Sequence, residues 1–207
     1  RFYEYIEKLH LDSLLGIDFP SEARSLIIPK QELTKNDFYR NGFGHSIAIS
    51  GLQLMTSISS MVTNGNLLAP YLVKKIVDNS GKVVYEAETQ VLGQVVSESI
   101  IPAMQELMKN VVEKGGGKAS SVEGVTVGGK TGTAQKIENG SVSNEKYIGS
   151  YICYSPIENP RYAVLVLFDE PKSSIYGNIV ATPVAGEILK KIYKLDGVRH
   201  IYCAIIY

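Results

Sequence analysis

Three strand candidates, residues 125–137, 147–155 and 161–169, follow one another near the end of this chain with very little between them. The first connection holds Asn139-Gly140, and the second is Pro156-Ile-Glu-Asn-Pro160, both rich in turn formers. Parallel neighbours need a crossover of about a dozen residues or more, so runs this closely linked can pair only as an antiparallel meander. That rules out a sheet built from alternating strand–helix units.

Helical patterns surround the meander. Phe2, Tyr5, Ile6 and Leu9 recur at helical spacing, so residues 2–10 read as a helix already under way at the first residue. That suggests a chain beginning inside a fold. The stretch Gly16-Ile-Asp-Phe-Pro-Ser-Glu22 reads as loop. Residues 51–63 form the clearest helix: Ser50 and Gln53 match a capping box, Leu52, Met55, Ser59 and Val62 share a face, and Asn64-Gly65 supplies the stop. Tyr71–Asp78 and Lys82–Glu86 flank Asn79-Ser80-Gly81 as a hairpin. A helix over 98–114 places Ile101, Met104, Leu107, Met108, Val111 and Val112 inward and ends at Gly115-Gly-Gly117. The last helix is expected from an N-cap at Thr182, with Pro183 in its first turn, to about Leu195; Ala185, Ile188, Leu189 and Ile192 face inward. Helices and strands are segregated along the chain, which predicts an α+β fold with an antiparallel sheet packed against helices.

At 207 residues the chain can build one ordinary core. Its 21 Lys+Arg balance 21 Asp+Glu, so it lacks the basic excess of an electrostatic nucleic-acid binder, and no nucleic-acid partner is expected. The longest apolar runs, Ala163–Phe168 and Ile201–Tyr207, are too short to span a bilayer. Arg1-Phe-Tyr-Glu-Tyr has no signal-peptide character, so any membrane anchor or export signal is expected outside this chain. Cys153 and Cys203 show no metal-ligand spacing, and Cys153, in an apolar run, reads as a buried free thiol. His10, His45 and His200 are scattered and read as structural. Neither a metal nor another cofactor is expected.

Two chemistries compete for Lys130. Gly124-Val-Thr-Val-Gly-Gly129-Lys130-Thr131 fits the G-x-x-x-x-G-K-[ST] phosphate-loop pattern, and Ala163-Val-Leu-Val-Leu-Phe-Asp169-Glu170 resembles its usual acidic companion. A phosphate loop, however, joins a strand to a helix N-terminus through a flexible turn. Here Val125, Thr126 and Val127 favour strand, and no apolar helical period follows Thr131. The strand reading suits the residues better. Lys130 would offer a cation to a carboxylate, and Thr131 and Thr133 would offer hydroxyls. Gly132 would let a ligand backbone approach. An exposed polar strand without a role is the plain alternative.

The surrounding blocks decide in favour of the strand. Gly16-Ile-Asp-Phe-Pro-Ser-Glu22, Gly42-Phe-Gly-His-Ser46 leading to Leu52-Gln53-Leu54, Asn64-Gly65 with Pro70, and Val111-Val-Glu-Lys-Gly115 occur in that order. Gly129-Lys-Thr-Gly-Thr-Ala-Gln135 and Asn159-Pro-Arg-Tyr-Ala-Val164 follow. Over residues 1–195 this resembles the transpeptidase domain of class B penicillin-binding proteins, with a β-lactamase-like fold. The resemblance implies a peptidoglycan D,D-transpeptidase acting on stem peptides, acylated by β-lactams, at the extracytoplasmic face of the bacterial cytoplasmic membrane. It implies that Lys130, Thr131, Gly132 and Thr133 bind substrate, the Thr133 N–H forming half an oxyanion hole. The Gly-Ile-Asp-Phe-Pro-Ser-Glu and Asn-Pro-Arg-Tyr blocks argue against serine β-lactamases and penicillin-sensing receptors.

The same family needs Ser-x-x-Lys and Ser-x-Asn upstream. Only Ser143-Asn-Glu-Lys146 fits the first, on the wrong side of Lys130 and in a polar connection, and Ser-x-Asn is absent. The expectation is therefore a C-terminal portion of the domain without its catalytic nucleophile, inactive alone and prone to self-association. The alternative is a non-catalytic interaction or scaffold remnant of such a protein. Residues 196–207 form an unassigned, apolar, β-prone tail.

Overall fold

The computed structural model describes residues 1–42, 44, 47–138 and 141–196. The expectations for His45, His200, Cys203, the Asn139-Gly140 turn and the tail beyond Asp196 lie outside the described residues.

In chain order, α1 (Phe2–Lys8) and β1 (Leu26–Ile27) precede α2 (Lys35–Asn41), β2 (Ile47–Ala48) and α3 (Gly51–Val62). Next come β3 (Asn66–Leu68), β4 (Lys75–Val77), β5 (Val83–Glu86), β6 (Val91–Gln94) and α4 (Ile101–Lys114). The meander β7 (Gly128–Glu138), β8 (Ser141–Ser155) and β9 (Tyr162–Asp169) leads into α5 (Gly177–Asp196).

The meander forms as expected, antiparallel throughout, in the order β7-β8-β9. Side-chain alternation along β8 and β9 feeds two cores. Tyr151, Cys153, Val164 and Val166 pack with Ala181, Ala185, Leu189 and Ile192 of α5. Ile152, Tyr154 and Leu165 pack with Met55 and Val62 of α3 and Met108 of α4. The sheet is therefore sandwiched between helices, which explains its apolar runs: both faces are buried. Cys153 is fully buried as a free thiol, and burial pushes its pKa up to about 12.

α3 is fixed by the residues that cap it. Ser50 Oγ accepts the Gln53 N–H at 3.1 Å, and Gln53 Oε1 accepts the Ser50 N–H at 3.1 Å. Gln53 is fully buried and also donates to the carbonyls of His10, Leu11 and Ser13 at 3.2, 3.1 and 2.9 Å. One glutamine thus caps its own helix and ties down the chain leaving α1. A second capping box, Thr34 with Asp37, starts α2, a helix the apolar periodicity did not announce.

Several boundaries differ from the sequence reading, each for a local reason. The first meander strand begins at Gly128 because residues 122–125 turn about Gly124 and close an isolated Val122–Val125 bridge. In the 71–78 run only Lys75–Val77 pairs with β5. The Asp18 carboxylate draws its start away, accepting the N–H groups of Leu72 and Val73 at 2.6 and 2.9 Å. Leu107, expected inside, is 62% exposed. Met108, also expected inside, is buried, and neighbouring helix positions lie about 100° apart, so the two do not share a face. The last helix starts at Gly177, where the Tyr176 carbonyl accepts the N–H groups of Ile179 and Val180 at 3.0 and 3.1 Å. Thr182 is buried inside α5 and is not its cap; Pro183 lies on the exposed side of the helix interior. Gly177-Asn178 carries no conventional cap, whereas Thr182-Pro183 imitates one.

Candidate functional site

The candidate site is the open side of β7. Among the described strands, β7 has only β8 beside it, and α4 packs against β7. Val127, Gly128 and Gly129 are buried, and exposure begins at Lys130. Thr131 and Gly132 are half-buried and Thr133 is exposed, so the structure brings the four sequence-predicted residues onto one accessible stretch. Alternation directs Lys130 and Gly132 to the face shared with α3, and Thr131 and Thr133 to the face shared with α5. Lys130 Nζ donates to the Thr131 carbonyl at 2.8 Å. Among the described residues, no carboxylate pairs with it. An exposed ammonium held against its own backbone can exchange that weak contact for an incoming anion.

Two close approaches set the position of this stretch. Tyr151, fully buried, lies over Gly129, where a Cβ would overlap its hydroxyl and ring. The tyrosine is held by Ser120, Oη to Oγ 2.6 Å, and desolvation raises its pKa well above the ordinary tyrosine value. Farther along, the Gly177 N–H donates to Thr133 Oγ1 at 3.2 Å. A side chain at Gly177 would overlap the carbonyl oxygens of Gly132 and Ser150, so the start of α5 can sit against β7 only as glycine. Because Thr133 Oγ1 accepts there, its proton is available as a donor elsewhere. Sequence reasoning named Lys130–Thr133 but missed Tyr151, Ser120 and Gly177. The adjacent Gly128-Gly129 pair was the visible hint of a large side chain overhead.

The rival readings of these residues fail on geometry. Lys130 and Thr131 lie inside an extended strand that continues to Glu138, with no helix N-terminus to aim N–H groups at a phosphate. Asp169 of the would-be acidic companion, residues 163–170, is an ion-pair partner of Lys136, at 2.8 Å. Ser143 Oγ accepts the N–H groups of Glu145 and Lys146 at 3.3 and 3.1 Å, a local turn. Lys146 Nζ lies 2.6 Å from Glu138 Oε1, and its pKa is raised mainly by that hydrogen bond. A cation stabilised this way cannot serve Ser143 as a base.

An apolar cavity lies elsewhere. About 550 Å³ in volume, it opens between α3 and the chain after β3, lined by Leu52, Met55, Leu68, Pro70 and Leu72, and includes none of residues 130–133. Its walls are mostly apolar. The exposed cation and hydroxyls of β7 are the better-armed site, although a strand edge encloses no volume.

Residues 1–190 match the family described as the penicillin binding protein transpeptidase domain. The chain is 30% identical over 201 residues to stage V sporulation protein D of Bacillus subtilis, covering 96% of this chain and 31% of that protein. It is 33% identical over 200 residues to the Neisseria flavescens protein named probable peptidoglycan D,D-transpeptidase PenA, covering 96% and 47%. In fold it matches penicillin-binding protein 3 of Mycobacterium tuberculosis with a TM-score of 0.83 at 23% identity, over 95% of this chain and 46% of that one. That protein has also been solved in complexes with aztreonam and ampicillin. The chain spans less than half the length of these relatives. Among the described residues, no helix is long and apolar enough to cross a membrane.

Proposed function

The chain belongs to the penicillin-binding protein transpeptidase family, and from that premise we propose that it forms the carboxylate-binding wall of a peptidoglycan D,D-transpeptidase cleft. The observation that carries this reading is Lys130: an exposed ammonium on the open side of β7, with no carboxylate partner among the described residues and with Thr131 and Thr133 beside it. The terminal carboxylate of a D-Ala-D-Ala stem peptide, or the carboxylate of a β-lactam, would take the Lys130 ammonium and the threonine hydroxyls as donors. Gly132 would leave the strand backbone open to an extended ligand. The Thr133 N–H would face the carbonyl oxygen as it gains negative charge.

In such an enzyme a serine attacks the penultimate D-Ala carbonyl and terminal D-Ala leaves. An amine of a neighbouring stem peptide then attacks the acyl-serine ester, forming the cross-link amide and releasing the serine hydroxyl. Ser143 is the one serine of the chain in a Ser-x-x-Lys pattern, and its lysine, Lys146, is held by Glu138 and is no usable base. The nucleophile of the reaction therefore belongs to sequence outside this chain, with residues 1–195 forming the C-terminal portion of the domain. The working site is the extracytoplasmic face of the cytoplasmic membrane, where peptidoglycan is cross-linked.

Titration of the isotope-labelled chain with N-acetyl-D-alanyl-D-alanine tests the reading. Saturable amide shifts centred on residues 130–133, lost in Lys130→Ala, are expected; saturable shifts elsewhere, or none, refute it. A fluorescent penicillin should leave no covalent adduct on the native chain. An ester mapped to Ser143 would return that serine to the mechanism.

A further inference from the structure

The ladder between β7 and β8 breaks shortly after Thr133. Gln135 pairs with Tyr147, but Ile137 pairs with Val142, so Lys136 alone stands against Ser143–Lys146. A bulge of this kind bends its strand and removes the hydrogen bonds that would otherwise fix its direction. Within the excursion, Ser143 Oγ accepts the N–H groups of Glu145 and Lys146. Backbone pairing skips Lys136 and resumes only with the two short pairs Ile137–Val142 and Glu138–Ser141.

Charge spans the gap instead. Lys136 Nζ reaches across β8 to the end of β9, 2.8 Å from Asp169 Oδ2 and 2.9 Å from Glu170 Oε1. Lys146 Nζ joins Glu138 Oε1 at 2.6 Å and lies 3.6 Å from Glu170 Oε1. Glu170 is the hub: its carboxylate meets both lysines, and its N–H donates to the Tyr147 carbonyl at 2.9 Å. Its backbone is left-handed, at φ +51°, a conformation a residue other than glycine keeps where surrounding contacts hold it. All three strands of the sheet meet in this cluster.

We infer that Lys136 and Glu170 are positioning residues for the ligand-facing stretch of β7, an inference that rests on the reading of that stretch as a carboxylate site. Tyr151 over Gly129 fixes the strand before Lys130, and Gly177 holds Thr133. The Lys136–Glu170 staple fixes the strand beyond it, where the ladder has failed. Neither residue touches the ligand. A single ion pair that water still reaches, as it does this half-buried one, contributes little to global stability. A staple at a ladder break acts on geometry, keeping the Lys130 ammonium and the two hydroxyls at constant spacing.

The experiment compares wild type, Lys136→Met and Lys136→Arg in the full 207-residue chain. Affinity for N-acetyl-D-alanyl-D-alanine is read by amide shifts, and hydrogen exchange of β7 amides 131–135 is read without ligand. Lys136→Met is expected to weaken binding by about fivefold and to speed exchange in β7 relative to β8 by a similar factor, with both restored by arginine. Wild-type affinity and wild-type exchange in Lys136→Met would overturn the inference, as would failure of arginine to restore either. If the wild type itself binds nothing, the reading of the edge falls. The exchange arm then decides on the staple by itself, and unchanged β7 exchange in Lys136→Met rejects it.

Discussion

Lys130 and Lys136 occupy the same strand and have opposite surroundings. Lys130 bonds a backbone carbonyl and meets no carboxylate among the described residues, whereas Lys136 is held by Asp169 and Glu170 at 2.8 and 2.9 Å. The Lys136 hydrogen bonds to Asp169 and then Glu170 raise its pKa well above the ordinary lysine range. The comparison teaches that an ammonium on a strand takes its role from the carboxylates its neighbours do or do not bring to it. One end of β7 keeps a cation available and the other consumes one to hold the strand in place.

The largest expected effect lies beneath the available end. Gly129→Ala drives a methyl group into the Tyr151 ring, which is fully buried and tied to Ser120, so neither partner can yield cheaply. Overpacking of this kind costs about 1–3 kcal/mol, and chemical denaturation should find the variant destabilised within that range or beyond it. Tyr151→Phe in the same background keeps the ring and removes the hydroxyl, the nearest clashing atom, and should recover part of the loss. If Gly129→Ala is as stable as wild type, Tyr151 does not set the position of β7, and the contrast between the two ends loses its first anchor.

Next in size is the contrast in binding. Lys130→Ala should lower affinity for a carboxylate ligand by about tenfold or more, since a charge-assisted hydrogen bond is lost, while the unfolding midpoint stays where it was. Lys136→Met should show a smaller loss of affinity together with looser β7 amides. Equal affinity losses with equal strand protection would mean that both lysines contact the ligand directly, and the division of labour would be wrong.

The extent to which this arrangement was legible in the sequence follows from the range of the interactions. The meander was readable because short connections and apolar runs are local, and so was α3, whose capping box lies within Ser50–Gln53. The Lys130–Thr133 stretch was readable through a compact motif and the blocks around it. The Lys136 staple was not, because its partners lie at positions 169 and 170 and meet it only once β8 has been placed between. The α5 start at Gly177 was missed for a related reason. The signal that sets it is the fit of Gly177 against the Gly132 and Ser150 carbonyls, a tertiary contact, while Thr182-Pro183 offered a convincing local substitute. Ser143-x-x-Lys146 shows the converse: a local pattern that matches a catalytic signature and serves here as a turn beside an ion cluster.

The smallest effect expected is on the pH dependence of stability, and it isolates the consumed end from the available one. The hydrogen bond from Lys136 holds the Glu170 carboxyl below the usual glutamate range, with Lys146 adding to the effect. A depressed folded-state pKa means that its contribution is full above the unfolded value of about 4.3 and is lost as pH falls through the folded value. The Lys136 pKa is raised, so its contribution is full below the unfolded value of about 10.4 and is lost as pH rises through the folded one. The stability difference between wild type and Lys136→Met should therefore form a plateau between about pH 4.3 and pH 10.4 and shrink at both ends. Other carboxylates with lowered pKa values, Asp18 and Glu158 among them, shape the acid limb of both proteins and cancel in the difference. Because Lys136 and Glu170 are only half-buried, added salt should lower the plateau. The corresponding difference for Lys130→Ala should lack an acid limb, since no carboxylate among the described residues pairs with that amine. A plateau for Lys130→Ala that collapses in acid would reveal a carboxylate partner in solution, and Lys130 would then be no freer to meet a ligand than Lys136.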